Sequence, residues 1–258
     1  MSTGTALPTD AAAARIAATV DDLFALIGSW RDAVAAHVAD RVTPLAGDVD
    51  AVVERFATAA LSDPDSLVTG AGFVAAPGLL ADAPWHLAWW LGDANTFGLD
   101  GGPAHLRRLE AVVDPEAESF RDYTTLEWWR VPRATGQRHL TGPYVDYLCT
   151  DAYTVTITEP VHVDGEMIGV VGADLYASEL ESTLLPVIEA TGDACTVVNA
   201  RGRVVASTDA QRAVGAVLRL DGLRAALDGL GRDAAVVLPG VGRVVACGDT
   251  TLALVVED

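Results

Sequence analysis

Residues 151–175 read DAYTVTITEPVHVDGEMIGVVGADL. From Tyr153 to Val161 the residues alternate in polarity, which is typical of a strand that is buried on one face. Asp164-Gly165 suits a two-residue hairpin turn, because such turns need backbone conformations with positive φ. A second strand follows from Met167 to Leu175. The stretch therefore predicts an antiparallel β-hairpin, and its last acidic residue, Asp174, ends the second strand.

A long helix is predicted before this hairpin, beginning at Thr9 or Asp10 and ending near Val42, where Thr43-Pro44 stops it. Its apolar residues repeat every seven positions, the period of a coiled-coil seam. Such a helix either packs on its own domain or also pairs with a second subunit to form a homodimer. The repeat consists of Ile16, Val20, Leu23, Ile27, Trp30, Val34 and His37.

The rest of the chain reads as short strands and helices in a mixed order. Before the hairpin the patterns predict a helix at 49–61, a strand at 70–75, a strand around Trp89-Trp90 that borders a pocket, a loop over 92–122 and a helix at 114–125. After it they predict helices at 178–189 and 223–230 and strands at 195–198, 204–207, 234–238, 243–248 and 252–256. Residues 192–258 thus form a second, smaller α+β unit.

Composition limits the partners of the chain. Its formal net charge is −19 over 258 residues, and half of the residues are hydrophobic. An acidic surface repels nucleic acids and anionic membranes and slightly favours a cationic ligand. No secretory signal and no stretch of eighteen apolar residues is present. We expect a cytoplasmic protein if this is the full-length product, and an excised sensor domain otherwise.

Motifs of catalysis or metal binding do not appear in the sequence. The three cysteines, Cys149, Cys195 and Cys247, are far apart, lie in apolar stretches and are expected to be buried free thiols. Five histidines show no paired spacing, and neither a GxSxG nor a complete GxGxxG pattern occurs. The sequence therefore predicts no enzyme, no metal and no cofactor.

Aromatic and acidic residues gather between Tyr123 and Asp174. In this region the chain resembles the double Cache (dCache) sensor domains, and the likeness extends over nearly the whole sequence, including VVNARGRVVAST. The amino-acid-sensing members carry a Tyr, an Arg three residues on, Trp-Tyr after one more, a Tyr-x-Asp and a later Asp. The residues that match are Tyr123, Trp128, Tyr144, Asp146 and Asp174, while Trp129 stands at the position of the second Tyr.

The resemblance implies a fold and a site. The fold is α+β, with a long N-terminal helix followed by two PAS-like antiparallel-sheet (Cache) modules, of which the first is larger and binds the ligand. The implied divisions are a helical spine at 8–62, a membrane-distal-type Cache module with the pocket at 63–178, and a smaller Cache module at 179–258. In this family the acids and tyrosines hold an ammonium group, so the same role is implied for their counterparts here.

One position departs from the family pattern. The Arg that binds an α-carboxylate falls on Leu126, so that either Arg130 or Arg133 would have to reach in from a loop bent by Val131-Pro132. Two carboxylates in one pocket need a cation to offset their burial, and aromatic faces attract cations as well. We therefore expect a sensor for a cationic amine or quaternary ammonium compound, with an unidentified separate regulator as its partner.

Two other interpretations stay open. An amino-acid sensor would use Arg130 or Arg133, and a dimerisation or interaction module would bind no ligand. Besides the five matched positions and Trp129, further residues could line the pocket, although tryptophans and tyrosines are also common core residues. These additional candidates are Trp89, Trp90, Leu126, Arg130 and Tyr153.

Overall fold

The computed structural model describes residues 6–97, 105–146, 150, 152–231 and 234–258. It confirms the predicted α+β class, with a long N-terminal helix and two antiparallel sheets. The chain divides into two compact units. The larger unit contains residues 24–141 and 145–176, and the smaller unit contains residues up to Leu23, 142–144 and 177–258.

The N-terminal helix, α1, runs from Thr9 to Ala39. Its seven-residue repeat is largely buried within this one chain, with Ile16, Val20 and Ile27 fully inaccessible to solvent. Trp30 stacks on Phe56 of helix α2 (Ala46–Leu61) at 4.8 Å between ring centroids. The stripe therefore packs on its own domain, and pairing with a second subunit through α1 stays a prediction.

Helices α1 and α2 do not form a unit of their own. The predicted division separates residues 8–62 as a spine, whereas α1 belongs to the smaller unit up to Leu23 and to the larger unit from Phe24 onward. Helix α2 packs against the first two strands of the larger unit. The helices are divided in this way because each sheet needs an apolar helix face to cover it.

The larger unit contains a six-stranded sheet. Its strands are β1 (Val68–Ala75), β2 (Leu87–Leu91), β3 (Arg107–Arg108), β4 (His139–Val145), β5 (Tyr153–Val163) and β6 (Glu166–Tyr176), in the order β3-β2-β1-β6-β5-β4. Strand β6 pairs antiparallel with both β1 and β5. The predicted hairpin is confirmed, because Asp164 and Gly165 between β5 and β6 have φ values of 52° and 84°.

The smaller unit contains a five-stranded sheet in the order β8-β7-β11-β10-β9. Its elements are α4 (Ala177–Glu189), β7 (Ala194–Asn199), β8 (Val204–Ser207), α5 (Leu223–Gly229), β9 (Ala235–Leu238), β10 (Gly242–Ala246) and β11 (Leu252–Glu257). Asn199 closes the turn between β7 and β8, since its side-chain oxygen accepts hydrogen bonds from the backbone N–H groups of Arg201 and Arg203.

The prediction for residues 114–125 is wrong. No α-helix forms there, and only Tyr123–Thr125 makes a single 3-10 turn. The side chain of Asp114 accepts a hydrogen bond from the N–H of Glu116, and Asp122 does the same for Thr124. Such local bonds from Asp side chains compete with helix propagation and favour turns.

The segment that carries Arg130 and Arg133 is a helix, not the expected loop. Helix α3 runs from Glu127 to Thr135 with Pro132 inside it. Proline has no N–H to bond the carbonyl of residue 128, four positions earlier. That carbonyl instead accepts a hydrogen bond of 2.9 Å from the hydroxyl of Thr158 on β5. A tertiary contact thus replaces the missing helical bond and fixes α3 on the sheet.

Cys195 and Cys247 are buried and unoxidised, as predicted, while Cys149 lies outside the described residues. Burial raises the pKa of Cys247 to about 12, so its thiol stays protonated and behaves as a small apolar group.

Candidate functional site

A cavity lies on one face of the larger sheet. The inward residues of neighbouring strands line it, because side chains of a strand alternate between its two faces and those two apart share a face. Helix α3 and the ends of β3 and β4 complete the wall. The lining consists of Val74, Leu87, Trp89, Leu109, Trp128, Asp146, Thr156, Thr158, Val170 and Asp174.

Asp174 contributes a buried carboxyl group to this cavity. It lies near the end of β6 and is 2% exposed. Thr156, its partner across β5, donates a hydrogen bond of 2.6 Å to Oδ1. Thr69 of β1 donates to the backbone carbonyl of the same residue at 3.1 Å. The two strands on either side of β6 therefore hold Asp174 in place, with its carboxylate facing the cavity.

Asp146 brings a second carboxyl group to the same wall. It follows directly after β4 and is 7% exposed. Its backbone carbonyl accepts a hydrogen bond from the N–H of Thr150 at 2.9 Å. Two carboxylates, separated by 28 positions in the sequence, thus line one small cavity. Burial of anions is unfavourable unless a positive charge or hydrogen bonds offset it.

Two indole rings complete the polar and aromatic part of the lining. Trp89 comes from β2, and Trp128 comes from α3, where its carbonyl is bonded by Thr158. Both residues are 6% exposed. Aromatic faces attract cations by about 0.5–2 kcal/mol, most strongly when water is excluded. Carboxylates and indoles together make the cavity suited to a cation.

The cavity is small in this conformation. The space open to the centres of water-sized molecules is about 20 Å³. About 10–15 Å³ of such space is enough for one water molecule. An ammonium group is about as large as a water molecule, so the cavity admits a charged head group but not a whole metabolite. A sensor for a whole amine, as the sequence predicts, needs more space than this.

Tyr123 and Trp129 lie in the core behind the cavity and are not among the residues that line it. Each is 1% exposed, and their rings lie 5.3 Å apart. The Tyr123 hydroxyl donates a 2.7 Å hydrogen bond to the carbonyl of Ala75, and burial raises its pKa to about 12. Tyr123 stacks on Trp128 at 6.3 Å between centroids. In this conformation Tyr123 supports a ring of the wall.

The other candidates are not among the residues that line the cavity. Arg130 and Arg133 are exposed on α3, and Leu126 is partly buried before that helix. Tyr153 is 50% exposed at the start of β5. Trp90 is buried on the face of β2 opposite Trp89, with the Arg108 guanidinium 5.7 Å from its ring. Tyr144 is partly buried in β4 and is grouped with the smaller unit.

Some lining residues were missed by the sequence analysis. Thr156 and Thr158 were assigned to a strand, but not to the pocket. They alternate with the apolar Val155 and Ile157, which indicates that the two threonines share one face of the strand. That is the face of the hairpin that carries Asp174. Leu109 follows the two-residue strand β3, which carries no readable pattern.

Comparisons with known proteins agree with this architecture. Residues 107–182 match the family model of the methyl-accepting chemotaxis protein-like first PDC sensor domain. No curated protein sequence matches the chain. Among solved structures, methyl-accepting chemotaxis protein X superposes with a TM-score of 0.61 at 17% identity, covering 95% of this chain and 93% of that chain.

Two further structures show the same likeness. The ligand-binding domain of the Pseudomonas fluorescens chemoreceptor CtaA in complex with L-isoleucine gives a TM-score of 0.54 at 16% identity, covering 96% of this chain and 87% of that one. The extracellular domain of the histidine kinase mmHK1S-Z3 gives 0.60 at 14% identity, covering 95% and 89%. The chain has the double Cache fold. The fold that the resemblance to double Cache domains implies is thereby confirmed.

Within the described part of the chain, no group of three or more His, Cys, Asp or Glu is placed to hold a metal ion. None of the helices in those same segments has the length and apolar character needed to cross a membrane.

Proposed function

We propose that this double Cache domain senses a small molecule that carries a positively charged ammonium group, and that the group binds in the cavity of the larger unit. One observation carries the proposal. Two buried carboxylates, Asp146 and Asp174, and two indoles share a cavity whose described lining contains no Arg or His. A cationic ligand would supply the positive charge that this wall attracts.

The affinity follows from the same contacts. A charge-assisted hydrogen bond contributes about 1.5–3 kcal/mol, and each desolvated ring adds about 0.5–2 kcal/mol. Together, one such bond and two rings contribute at most about 7 kcal/mol, which corresponds to a dissociation constant no tighter than about 10 μM before the costs of ordering the ligand. Primary and quaternary ammonium groups differ, because the first donates hydrogen bonds to Asp174 whereas the second only packs against the rings.

Ligand binding requires the larger unit to open. Because the free space holds only a head group, the rest of the ligand has to displace part of the wall. Movement of Trp128 would also shift helix α3 relative to β5, because the Trp128 carbonyl accepts a hydrogen bond from Thr158 of β5. We infer that this rearrangement is the signal and that a separate regulator protein responds to it.

An amino acid is the second candidate ligand. It is favoured by the CtaA domain, whose solved complex contains L-isoleucine. An α-carboxylate, however, would face Asp146 and Asp174, and the two arginines expected to receive it are exposed on α3. The amine is therefore the better match to the charges of this cavity.

Titration calorimetry with L-isoleucine and 2-methylbutylamine tests the proposal, because the amine lacks only the carboxylate. We expect the amine to bind more tightly. Asp174→Asn should weaken its binding by roughly 10- to 100-fold, the value of one charged hydrogen bond. Asp164→Asn is the matched control, because it makes the same change at the exposed turn of the same hairpin and should leave binding unchanged.

Two results would contradict the proposal. Tight binding of the amino acid without its amine would establish the amino-acid sensor. If no amine or amino acid raises the melting temperature while the chain forms a stable dimer, the domain is an interaction module that binds no ligand.

A further inference from the structure

Trp89 carries a buried hydrogen-bond donor that no residue in the described part of the chain accepts. Its side chain lines the cavity and is 6% exposed. Among the described residues, its indole Nε1 has no hydrogen-bond partner. Buried donors almost always have a partner, so an unpaired one in a native structure points to a missing acceptor.

A floor of glycines fixes the direction of this donor. A Cβ atom placed on Gly72 would lie 2.8 Å from Cε3 of Trp89, and one on Gly172 would lie 3.5 Å from Cη2. Gly72 pairs directly with both Trp89 and Gly172 across the sheet. The ring therefore lies flat on backbone that has no side chains, and the glycines allow the close approach.

The N–H edge of the ring lies beside Asp174. A Cβ on Gly70 would be 2.8 Å from the Trp89 Nε1 and 3.2 Å from Asp174 Oδ2, so both atoms lie over the same glycine. Gly70 is also the residue that pairs with Asp174 in the sheet. A neutral donor and a carboxylate thus stand next to each other at one end of the cavity.

We propose that the ligand carries a neutral hydrogen-bond acceptor close to its ammonium group, and that Trp89 Nε1–H donates to this acceptor. The proposal rests on the proposed function, because Asp174 takes the ammonium group. Because both protein atoms lie within 3.2 Å of one point above Gly70, the two polar atoms of the ligand must also be close together. The ligand class is therefore an amine with an ether, hydroxyl or amide oxygen about two carbons from the nitrogen.

The acceptor is neutral rather than a carboxylate for an electrostatic reason. An indole N–H can donate a hydrogen bond but carries no net charge to neutralise an anion, and the same cavity already contains Asp146 and Asp174. A carboxylate on the ligand would be repelled by both aspartates. Trp89 would thus select among amines and would add specificity to the charge attraction of the aspartates.

Two isosteric probes test this proposal by calorimetry on the whole chain. 2-Methoxyethylamine and n-butylamine differ only by an oxygen in place of a methylene group. Trp89→Phe keeps an aromatic ring and removes the N–H. We expect this variant to lower the preference for the ether by about 3- to 10-fold relative to wild type, the usual net value of one hydrogen bond. Trp90→Phe, on the opposite face of β2, is the control that keeps the preference.

The outcomes separate this inference from the proposed function. If both amines bind but the preference is the same in wild type and Trp89→Phe, the acceptor proposal is wrong and the amine site stands. If neither amine binds wild type, the proposed function itself fails. A water molecule that permanently satisfies Nε1 would give the first of these results.

A spectroscopic measurement on the wild-type protein keeps the test independent of how the variant folds. The chain has six tryptophans and therefore six indole N–H signals in a nitrogen-proton correlation spectrum. One signal should move further with 2-methoxyethylamine than with n-butylamine, because only the ether accepts its hydrogen bond. Equal shifts of all six signals for the two probes would overturn the proposal.

Discussion

The two sheets of this protein solve the same packing problem with different residues. In the smaller unit the space between the sheet and α5 is filled by aliphatic side chains. These are Val198, Leu223, Ala226, Leu238, Val244, Ala253 and Val255. In the larger unit the corresponding contents of the cavity face include two aspartates, two threonines, two tryptophans and a floor of glycines.

This difference separates residues that stabilise from residues that bind. Aliphatic burial contributes about 25 cal/mol per Å² of apolar surface, so the smaller sheet is packed for stability. Burial of carboxyl groups, and of an indole N–H without a partner among the described residues, costs stability unless hydrogen bonds or a ligand offset it. In the larger unit these destabilising groups lie on the sheet face that forms the cavity, where a cation could bind. Substitutions in the two units should therefore have different consequences.

The largest effect is expected in the filled core. Leu223→Ala removes a side chain that is 3% exposed and should lower the free energy of unfolding by about 2–5 kcal/mol, because a cavity remains. Affinity for amines should stay unchanged. Urea denaturation and calorimetry measure the two quantities. Arg224→Ala, at an exposed position of the same helix, should change stability by less than about 0.5 kcal/mol.

If Leu223→Ala also weakened amine binding, the smaller unit would contribute to binding. The proposed separation between a unit packed for stability and a unit that binds would then be wrong.

The glycine floor of the larger unit comes next. Gly72→Ala would put a Cβ 2.1 Å from the carbonyl oxygen of Ala88 and 2.8 Å from Trp89, so the strands must move apart. Overpacking of this kind destabilises by about 1–3 kcal/mol, and amine binding should be lost with the position of Trp89. Gly47→Ala in α2 meets nothing within 4 Å and should stabilise by about 0.5–1 kcal/mol.

Retention of full amine affinity in Gly72→Ala, with normal folding, would show that the position of Trp89 does not matter for binding.

Regular patterns made most of the fold predictable. The alternation from Tyr153 to Val161 and the turn at Asp164-Gly165 depend on neighbours in the sequence, and the hairpin formed as expected. Helix α3 was missed because a proline inside a helix is unfavourable locally. Its compensation comes from Thr158, 26 positions further along the chain, and such a contact leaves no local signal.

The site was predictable where it depends on residue type and not where it depends on three-dimensional packing. The motif positions Asp146, Asp174 and Trp128 do line the cavity. Whether a buried ring faces the cavity or lies behind it depends on packing, which separates Trp128 from Tyr123. The role of Trp89 depends on three glycines in two strands, and no pattern within either strand relates them to the ring.

The hydrogen bond that compensates Pro132 gives the third prediction. Thr158→Val keeps the shape of the side chain but leaves the Trp128 carbonyl without its donor, which should cost about 1–2 kcal/mol of the free energy of unfolding. The near-ultraviolet circular dichroism of the tryptophans should change as α3 loosens. Thr135→Val is the matched control, because the exposed Thr135 hydroxyl donates a hydrogen bond to the Val131 carbonyl in the same helix. Its loss should lower the free energy of unfolding by less than about 0.5 kcal/mol. An equal cost for both variants would mean that Thr158 does not fix α3.

The smallest effect on stability is expected for Glu159, on the face of β5 opposite the cavity. Burial and nearby arginines shift its pKa in opposite directions. Glu159 follows Thr158, is 7% exposed, and pairs with Arg31 of α1 at 2.9 Å. Burial raises the pKa of Glu159, whereas Arg31 and Arg138 act in the other direction. Since the net direction is upward, the native state holds this proton more tightly than the unfolded chain.

The sign of the pH dependence follows from that direction. The contribution of Glu159 to stability is fully present below its unfolded pKa of 4.5 and is lost as the pH rises through the higher native value. The free energy of unfolding of wild type relative to Glu159→Gln should therefore fall as the pH rises from about 4 to about 7. Urea denaturation across this range measures it, with Glu166→Gln at the exposed end of the same hairpin as the control. A difference that grows with pH would mean that the attraction of Arg31 outweighs the burial of the carboxylate, and that this face of the sheet is held together by charge rather than by apolar packing.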